Sequence, residues 1–310
     1  VTATACVQGT DAWLAARRDL VTASDIPVLL GLSPYKCEAD LADDKLFGDM
    51  QPQTLRMRIG LAVQDLIGEA YSEQTGRRVK RDLRLHTHPG IPWAGASPDF
   101  RVIGERRLVE AKRTSSRSRF ADGLPQDIEA QVAWQLGVTG YPVADVAALI
   151  GDGDLEVFEV AADPALFDDL VAVAVDFRRR LLEGGPFARD AARIRRDHPS
   201  DDGSEMTADA ELTEAVTALV ALRGQRKDME AAEERIETAI KARMGDAARL
   251  SGPGFAITWK QTRDVGKTDW KSIADGLLRQ MPETERAALV GLHTTVTPGF
   301  RPFRVTLEKE

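Results

Sequence analysis

Asp99 and Glu110 stand on either side of Gly104-Glu105, and Lys112 follows the glutamate by two positions. The residues flanking Gly104-Glu105 read as two short strands, and glycine in the first central position suits a two-residue type II′ hairpin turn. With Ile103 opposite Arg106, cross-strand partners have numbers that sum to 209. Asp99 then falls opposite Glu110, with side chains about 5 Å apart on one face. Alternation along a strand puts Lys112 on that same face, while Phe100, Val102, Val109 and Ala111 point to the other side and can enter a core. Two juxtaposed carboxylates repel unless a cation lies between them, and hard oxygen donors with open positions suit magnesium or manganese. Such a cation polarises a phosphoryl oxygen and acidifies bound water, which phosphodiester hydrolysis requires. The Lys112 ammonium could orient the water, deprotonate it or stabilise developing charge, and the spacing leaves these roles open. An ordinary surface hairpin with an ion pair would share the pattern.

The elements that must hold this hairpin are legible on either side of it. Helices are expected near 11–18, from Ala23 to Leu32, and over 55–75, where Ile59, Ala62, Val63, Leu66, Ile67, Ala70 and Tyr71 make a one-sided apolar stripe. Strands are expected at 79–87, 99–103 and 107–112, a helix near 126–138, strands near 144–150 and 155–160, and a helix near 164–183. The mixture is α/β or α+β. His198 to Ser204 is polar and turn-rich, so it reads as a linker between residues 1–197 and residues 205–310. Beyond it, 207–245 is a long polar helical stretch with a possible break at Gly224. Its narrow seam of Met229, Ala232, Ile236, Ile240 and Met244 suits a helical hairpin or a coiled-coil contact. Ala256 to Lys260 and Phe303 to Leu307 look like strands, and Thr268 or Asp269 could cap a helix starting at Trp270, giving a small α+β appendage.

Composition narrows the class of partner. The 310 residues are 43% hydrophobic and 29% charged, ordinary for a globular protein. The longest apolar stretch, Leu170 to Val175, is far short of the roughly 20 residues of a membrane span, so no membrane contact is expected. The start lacks a basic, then apolar segment, so a cytoplasmic location is expected. Cys6 and Cys37 are too few for a disulfide framework or a four-cysteine metal site. A net charge of -8 argues against coating nucleic acid with bulk positive charge. Arg77 to Arg119 nevertheless holds twelve Lys and Arg against four Asp and Glu, and a second basic cluster holds Arg178, Arg179, Arg180, Arg189, Arg193, Arg195 and Arg196. Basic islands on an acidic chain suit focused phosphate contact.

Ser97-Pro98-Asp99 followed by Glu110-Ala111-Lys112 resembles the active-site signature of the PD-(D/E)XK nucleases, specifically the YqaJ-type viral recombinases and their lambda-exonuclease relatives. Other parts match in order. Trp13 with Arg17, then Val21-Thr22-Ala23-Ser24-Asp25-Ile26 running to Leu30-Gly31-Leu32-Ser33-Pro34-Tyr35, is similar to the opening motif. Ala130-Gln131-Val132 with Val138-Thr139-Gly140 resembles the glutamine-bearing helix. The resemblance spans roughly residues 10–160.

It implies an α/β fold with a restriction-endonuclease-like core, a central mixed sheet flanked by helices, and a DNA cleft holding Mg2+ or Mn2+. Carried over motif by motif, Asp99, Glu110 and the Ala111 carbonyl would be metal ligands, Lys112 the catalytic lysine, and Gln131 the group that positions water or the lysine. Ser97, Arg17 and Ser24 match residues that grip the phosphate at a recessed 5′ end, and Arg117, with Arg119 behind it, is the candidate for a further basic contact. The implied activity is a 5′ to 3′ exonuclease on duplex DNA ends in phage or prophage recombination, with a single-strand annealing protein as partner and a homo-oligomer in some relatives. One position departs. The usual G-x-x-x-E pattern becomes Gly60 followed by Gln64, an amide that brings no negative charge to a metal, and Glu69 lies some 140° around the helix from it. Retained activity is expected because the hairpin residues and Gln131 remain; the rival reading is a non-catalytic DNA-binding or recruitment subunit on the nuclease scaffold. More local roles are expected for the accessory groups: Trp13 in the core, His86 and His88 on the surface, and Arg178 to Arg180 at a helix end.

Overall fold

Gly104 adopts φ 87°, the left-handed backbone that the hairpin turn needs, and the strands on either side pair as Phe100 with Val109 and Arg101 with Leu108. These pairs have the expected sum of 209. The coordinates are a computed structural model and describe residues 2–4, 10–48, 54–151, 153–263, 266–295, 299 and 301–306. They divide into two units, Val1–His198 and Pro199–Glu310.

The first unit runs β1 (Thr2–Thr4), α1 (Asp11–Arg18), β2 (Val21–Thr22), α2 (Ile26–Leu29), α3 (Glu38–Phe47), α4 (Leu55–Ala62), α5 (Gln64–Thr75), β3 (Val79–Arg81), β4 (Leu85–His88), β5 (Ile91–Ala96), β6 (Phe100–Val102), β7 (Arg107–Thr114), α6 (Gln126–Thr139), β8 (Val143–Ile150), β9 (Asp154–Ala161), α7 (Pro164–Glu183) and α8 (Ala191–Asp197). Five strands in the order β3-β6-β7-β8-β9 form a mixed sheet, in which β7 and β8 are parallel and the other neighbours antiparallel. Phe100, Val102 and Val109 face α5 and pack with Ile67 and Tyr71. On the opposite side Leu108, Val146 and Ala148 pack with Ile128, Val132 and Leu136 of α6. By alternation Glu110 and Lys112 share the α6 side with Leu108.

A second sheet, β1-β4-β5-β2, lies against the other side of α6. Ala130, Ala133 and Trp134 of α6 join Val21, Ala94, Phe167 and Phe177 in one core, and Trp134 Nε1 donates to the Gly95 carbonyl at 3.0 Å. Thus α6 serves two cores. Its contact with α7 is close, because a Cβ on Gly137 would lie 2.1 Å from the Phe167 ring.

Several elements differ from expectation for physical reasons. The helix expected from Ala23 shrinks to α2, because Thr22 to Asp25 form a turn in which the Asp25 carboxylate accepts from Thr22 N at 2.8 Å. The stripe over 55–75 breaks at Val63, with φ -93° and ψ 0°, so Ile67 and Tyr71 are buried while Ile59 and Leu66 are exposed. The strand expected at 79–87 splits at Asp82, whose buried carboxylate holds Arg84 and His86. His86 is therefore buried, not on the surface. Strand β5 carries Pro92 and Gly95, both poor strand signals; Gly95 is needed because a Cβ there would meet Leu20 at 2.8 Å.

In the second unit α9 (Ala210–Met244) is one unbroken helix and not a hairpin; Gly224 does not interrupt it. It is followed by the antiparallel pair β10 (Arg249–Gly252) and β11 (Phe255–Thr258), then α10 (Trp270–Leu278) and α11 (Glu283–His293). Asp269 caps α10 by accepting from Ser272 N at 3.0 Å. Residues 303–306 form no strand, while Leu307 and Cys6 lie outside the described residues. Among the described residues no helix is long and apolar enough to cross a membrane.

Candidate active site

The hairpin brings Asp99 and Glu110 together, and the neighbouring elements fix each oxygen. Asp99 Oδ2 accepts from the Ala111 backbone N–H at 2.8 Å, while its Oδ1 accepts from Gln64 Nε2 at the start of α5. Glu110 is buried and accepts on both oxygens. Its Oε1 takes Lys112 Nζ at 2.7 Å and Gln131 Nε2 at 2.7 Å, and its Oε2 takes Gln135 Nε2 at 2.8 Å. Gln131 and Gln135 are one helical turn apart on α6, so one face of that helix supplies both amides. Lys112 Nζ also donates to Gln131 Oε1 at 2.8 Å, closing a triangle with Glu110. Burial, seconded by the Glu110 charge, pushes the Asp99 carboxyl well above the usual range. Burial pulls the Lys112 ammonium down, but the Glu110 and Asp99 charges outweigh it and leave its pKa raised.

A second constellation forms where α1 meets the turn after β2. Arg17 donates to Ser24 Oγ at 2.6 Å and Thr22 Oγ1 at 3.0 Å, and its guanidinium lies 4.4 Å from the centre of the Trp13 ring. Trp13 is buried, and its Nε1 donates to Ser97 Oγ at 3.4 Å. Burial lowers the Arg17 pKa against the opposing pull of Asp25, as expected for a cation stripped of water. Beneath it Asp25 accepts from Thr22 and from Lys45 Nζ at 2.7 Å, and Lys45 also donates to the carbonyls of Arg17 and Leu20 at 3.0 and 2.6 Å. Sequence reasoning did not find Lys45 or Gln135 as site residues; the i, i+4 spacing from Gln131 was the available signal for the latter, and nothing local marked the former.

A cavity of about 230 Å³ joins the two constellations, lined by Ser24, Tyr35, Lys112, Arg119 and Gln131 among others. Arg119 reaches it while pairing with Asp127. Arg117 does not line it: its side chain is 63% exposed and pairs with Asp154 and Glu156. Most of the second basic cluster is spent on acids, since Arg180 holds Glu38 and Arg193 and Arg196 hold Asp40. Arg178 instead donates to the Asp19 carbonyl at 2.9 Å and covers the Trp93 ring.

Residues 12–142 match a family profile described as the YqaJ-like viral recombinase domain, and that span contains the hairpin, Gln131 and the Arg17 constellation. Over 280 residues the chain is also 24% identical to the uncharacterized protein YqaJ of Bacillus subtilis (strain 168), covering 86% of this chain and 87% of that relative. Among solved structures, an alkaline exonuclease of Laribacter hongkongensis (LHK-Exo) aligns with TM-score 0.47 and 24% identity over 56% of this chain and 94% of its own. A phage related exonuclease of Haemophilus somnus 129PT aligns with TM-score 0.42 and 10% identity over 53% of this chain and 96% of its own.

Within residues 12–142 the groups that could hold a divalent cation are the carboxylates of Asp99 and Glu110, the Ala111 carbonyl and the Gln64 amide oxygen. Gln64 Oε1 is buried without a hydrogen-bond partner among the described residues, although its Nε2 is bound to Asp99. A buried acceptor left unpaired beside two crowded carboxylates fits a positive ion. Among the described residues no three His, Cys, Asp or Glu side chains cluster as a metal site; Asp99 and Glu110 are the two acidic side chains that the hairpin brings together.

Proposed function

We propose that this chain is a divalent-cation-dependent DNA exonuclease that shortens one strand of duplex DNA from its 5′ end during phage or prophage recombination, and hands the exposed 3′ strand to a single-strand annealing protein. The observation that carries this reading is the shared cavity: Ser24, from the Arg17 constellation, lines the same space as Lys112 and Gln131. A terminal phosphate held by Arg17 and Ser24 lies next to the group that must be hydrolysed.

Magnesium or manganese, held by Asp99, Glu110, the Ala111 carbonyl and Gln64, would supply Lewis-acid polarisation and an acidified water. The chain's own residues do the rest. Lys112 Nζ carries its protons in a fixed direction because Glu110 and Gln131 both accept from it, so it donates to negative charge gathering on the phosphoryl oxygen. Gln131 and Gln135 keep Glu110 from rotating. Arg17, packed on Trp13, offers a half-dehydrated cation to the end phosphate, an arrangement that binds anions more strongly than a fully solvated arginine.

Gln64 favours a second reading, in which the cation site is too weak for catalysis and the chain recruits other proteins to DNA ends. End-labelled duplex incubated with magnesium or manganese separates the two. Release of nucleotides by the parent, abolished in Glu110→Gln and Lys112→Ala, supports the nuclease; binding without release under every condition supports the recruiter.

A further inference from the structure

Asp25 is a buried carboxylate with two cations near it, and only one of them touches it. Lys45 Nζ, on α3, donates to Asp25 Oδ2 at 2.7 Å, the two side chains being 10% and 9% exposed. Its bonds to the carbonyls of Arg17 and Leu20 fix the ammonium in that place. Arg17 is kept one hydroxyl away. The Thr22 side chain accepts from Arg17 Nη2 at 3.0 Å and donates to Asp25 Oδ2 at 2.9 Å, so it stands between the guanidinium and the carboxylate. Among the described residues no carboxylate forms an ion pair with Arg17, whose hydrogen bonds go to the hydroxyls of Thr22 and Ser24.

This division of charge decides what Arg17 can bind. A carboxylate stripped of water needs a cation beside it, because an unpaired buried charge is strongly destabilising. Burial opposes the ionisation of Asp25, and the charge of Lys45, then that of Arg17, overcomes it and leaves the carboxyl below its ordinary range. Without Lys45 the next cation acting on Asp25 is Arg17. A guanidinium drawn onto that carboxylate would use for it the same N–H donors that a phosphate needs. Lys45 does not line the cavity that holds Ser24, Lys112 and Gln131, so its influence on a DNA end must pass through Asp25 and Arg17.

We propose that Lys45 is a positioning residue that neutralises Asp25 so that Arg17 stays available to the 5′ phosphate of a DNA end. The proposal rests on the end-phosphate reading given above. The test measures binding of 5′-phosphorylated and 5′-hydroxyl duplexes in EDTA, where cleavage does not intervene, by the full-length parent, Lys45→Met and the double variant Lys45→Met with Asp25→Asn. Circular dichroism checks that each is folded. The parent should prefer the phosphorylated end by roughly tenfold or more, as for a charge-assisted hydrogen bond. Lys45→Met should lose that preference, and the double variant should regain it, since no carboxylate is left to capture Arg17. A merely structural role predicts the opposite, because the double variant has lost more of the network than the single one. A preference kept in folded Lys45→Met, or missing from the double variant, overturns the proposal and leaves the nuclease reading standing. Should Lys45→Met not fold, the double variant decides alone. Its own failure to fold also overturns the proposal, because Lys45 would then serve the backbone carbonyls and not Asp25. A parent indifferent to the phosphate overturns both the proposal and the end-phosphate grip beneath it.

Discussion

Gln135 Nε2 lies 2.8 Å from Glu110 Oε2, and both side chains are buried. Gln135 is thus a positioning residue that works through the carboxylate. Replacing it with leucine keeps the volume and withdraws one donor from a buried charge. The unpaired Gln135 Oε1 disappears in the same change, so the loss of stability should sit near the low end of the range for a buried polar group, about 1 kcal/mol. Cation affinity should fall by roughly tenfold or more, as for other residues that orient a ligand. Denaturant unfolding and a magnesium titration of nucleotide release measure the two effects separately.

Gln64→Glu adds the third carboxylate that the resemblance leads one to expect. Without cation the new charge repels Asp99 and forfeits the Nε2 donor, so the melting temperature in EDTA should drop below that of the parent. With magnesium the gap should shift in favour of the variant, by about 1.4 kcal/mol if affinity rises tenfold. Melting curves in EDTA and in magnesium test this; an equal magnesium response in both proteins would mean that position 64 does not touch the ion.

Arg17→Ala removes the cation that Trp13, Thr22 and Ser24 orient. The parent should degrade 5′-phosphorylated ends faster than 5′-hydroxyl ends, and the variant should lose that preference while its rate on hydroxyl ends changes little. Rates on the two labelled duplexes decide it. An unchanged preference would assign Arg17 another role.

Part of the acid sensitivity should trace to Asp82. Burial opposes its ionisation, but hydrogen bonds from His86 and Arg84 outweigh that and hold the carboxyl well below its usual range. A folded pKa depressed below the unfolded value of about 3.9 stabilises the protein above that value, and the contribution is lost as pH falls through the folded pKa. Asp82→Asn should therefore be less stable than the parent at pH 7, by about 1–3 kcal/mol, with the gap closing below about pH 4. Unfolding midpoints across that range provide the check.

The hairpin was readable because its information is local: a glycine at the turn and strict alternation set the register that joins Asp99 to Glu110. The grip around Arg17 was readable in part. Ser24 and Arg17 lie seven residues apart, but the Lys45 ammonium that braces them comes from α3, and it answers to backbone carbonyls that no spacing announces. The arginines after residue 178 misled for a related reason. Their charge was visible, whereas the acids of α3 that absorb much of it lie some 140 residues earlier in the chain. Strand β5 hid behind Pro92 and Gly95, and the glycine reflects the closeness of Leu20 and not a turn.

Because α6 contributes to the hydrophobic layers on both of its sides, the amides that orient Glu110 ride on the most deeply shared beam of the unit. Heat is therefore expected to loosen the proposed active site only together with the two cores that α6 joins. Inactivation and melting should be the same event, and a preparation that still holds its shape should still hold its chemistry.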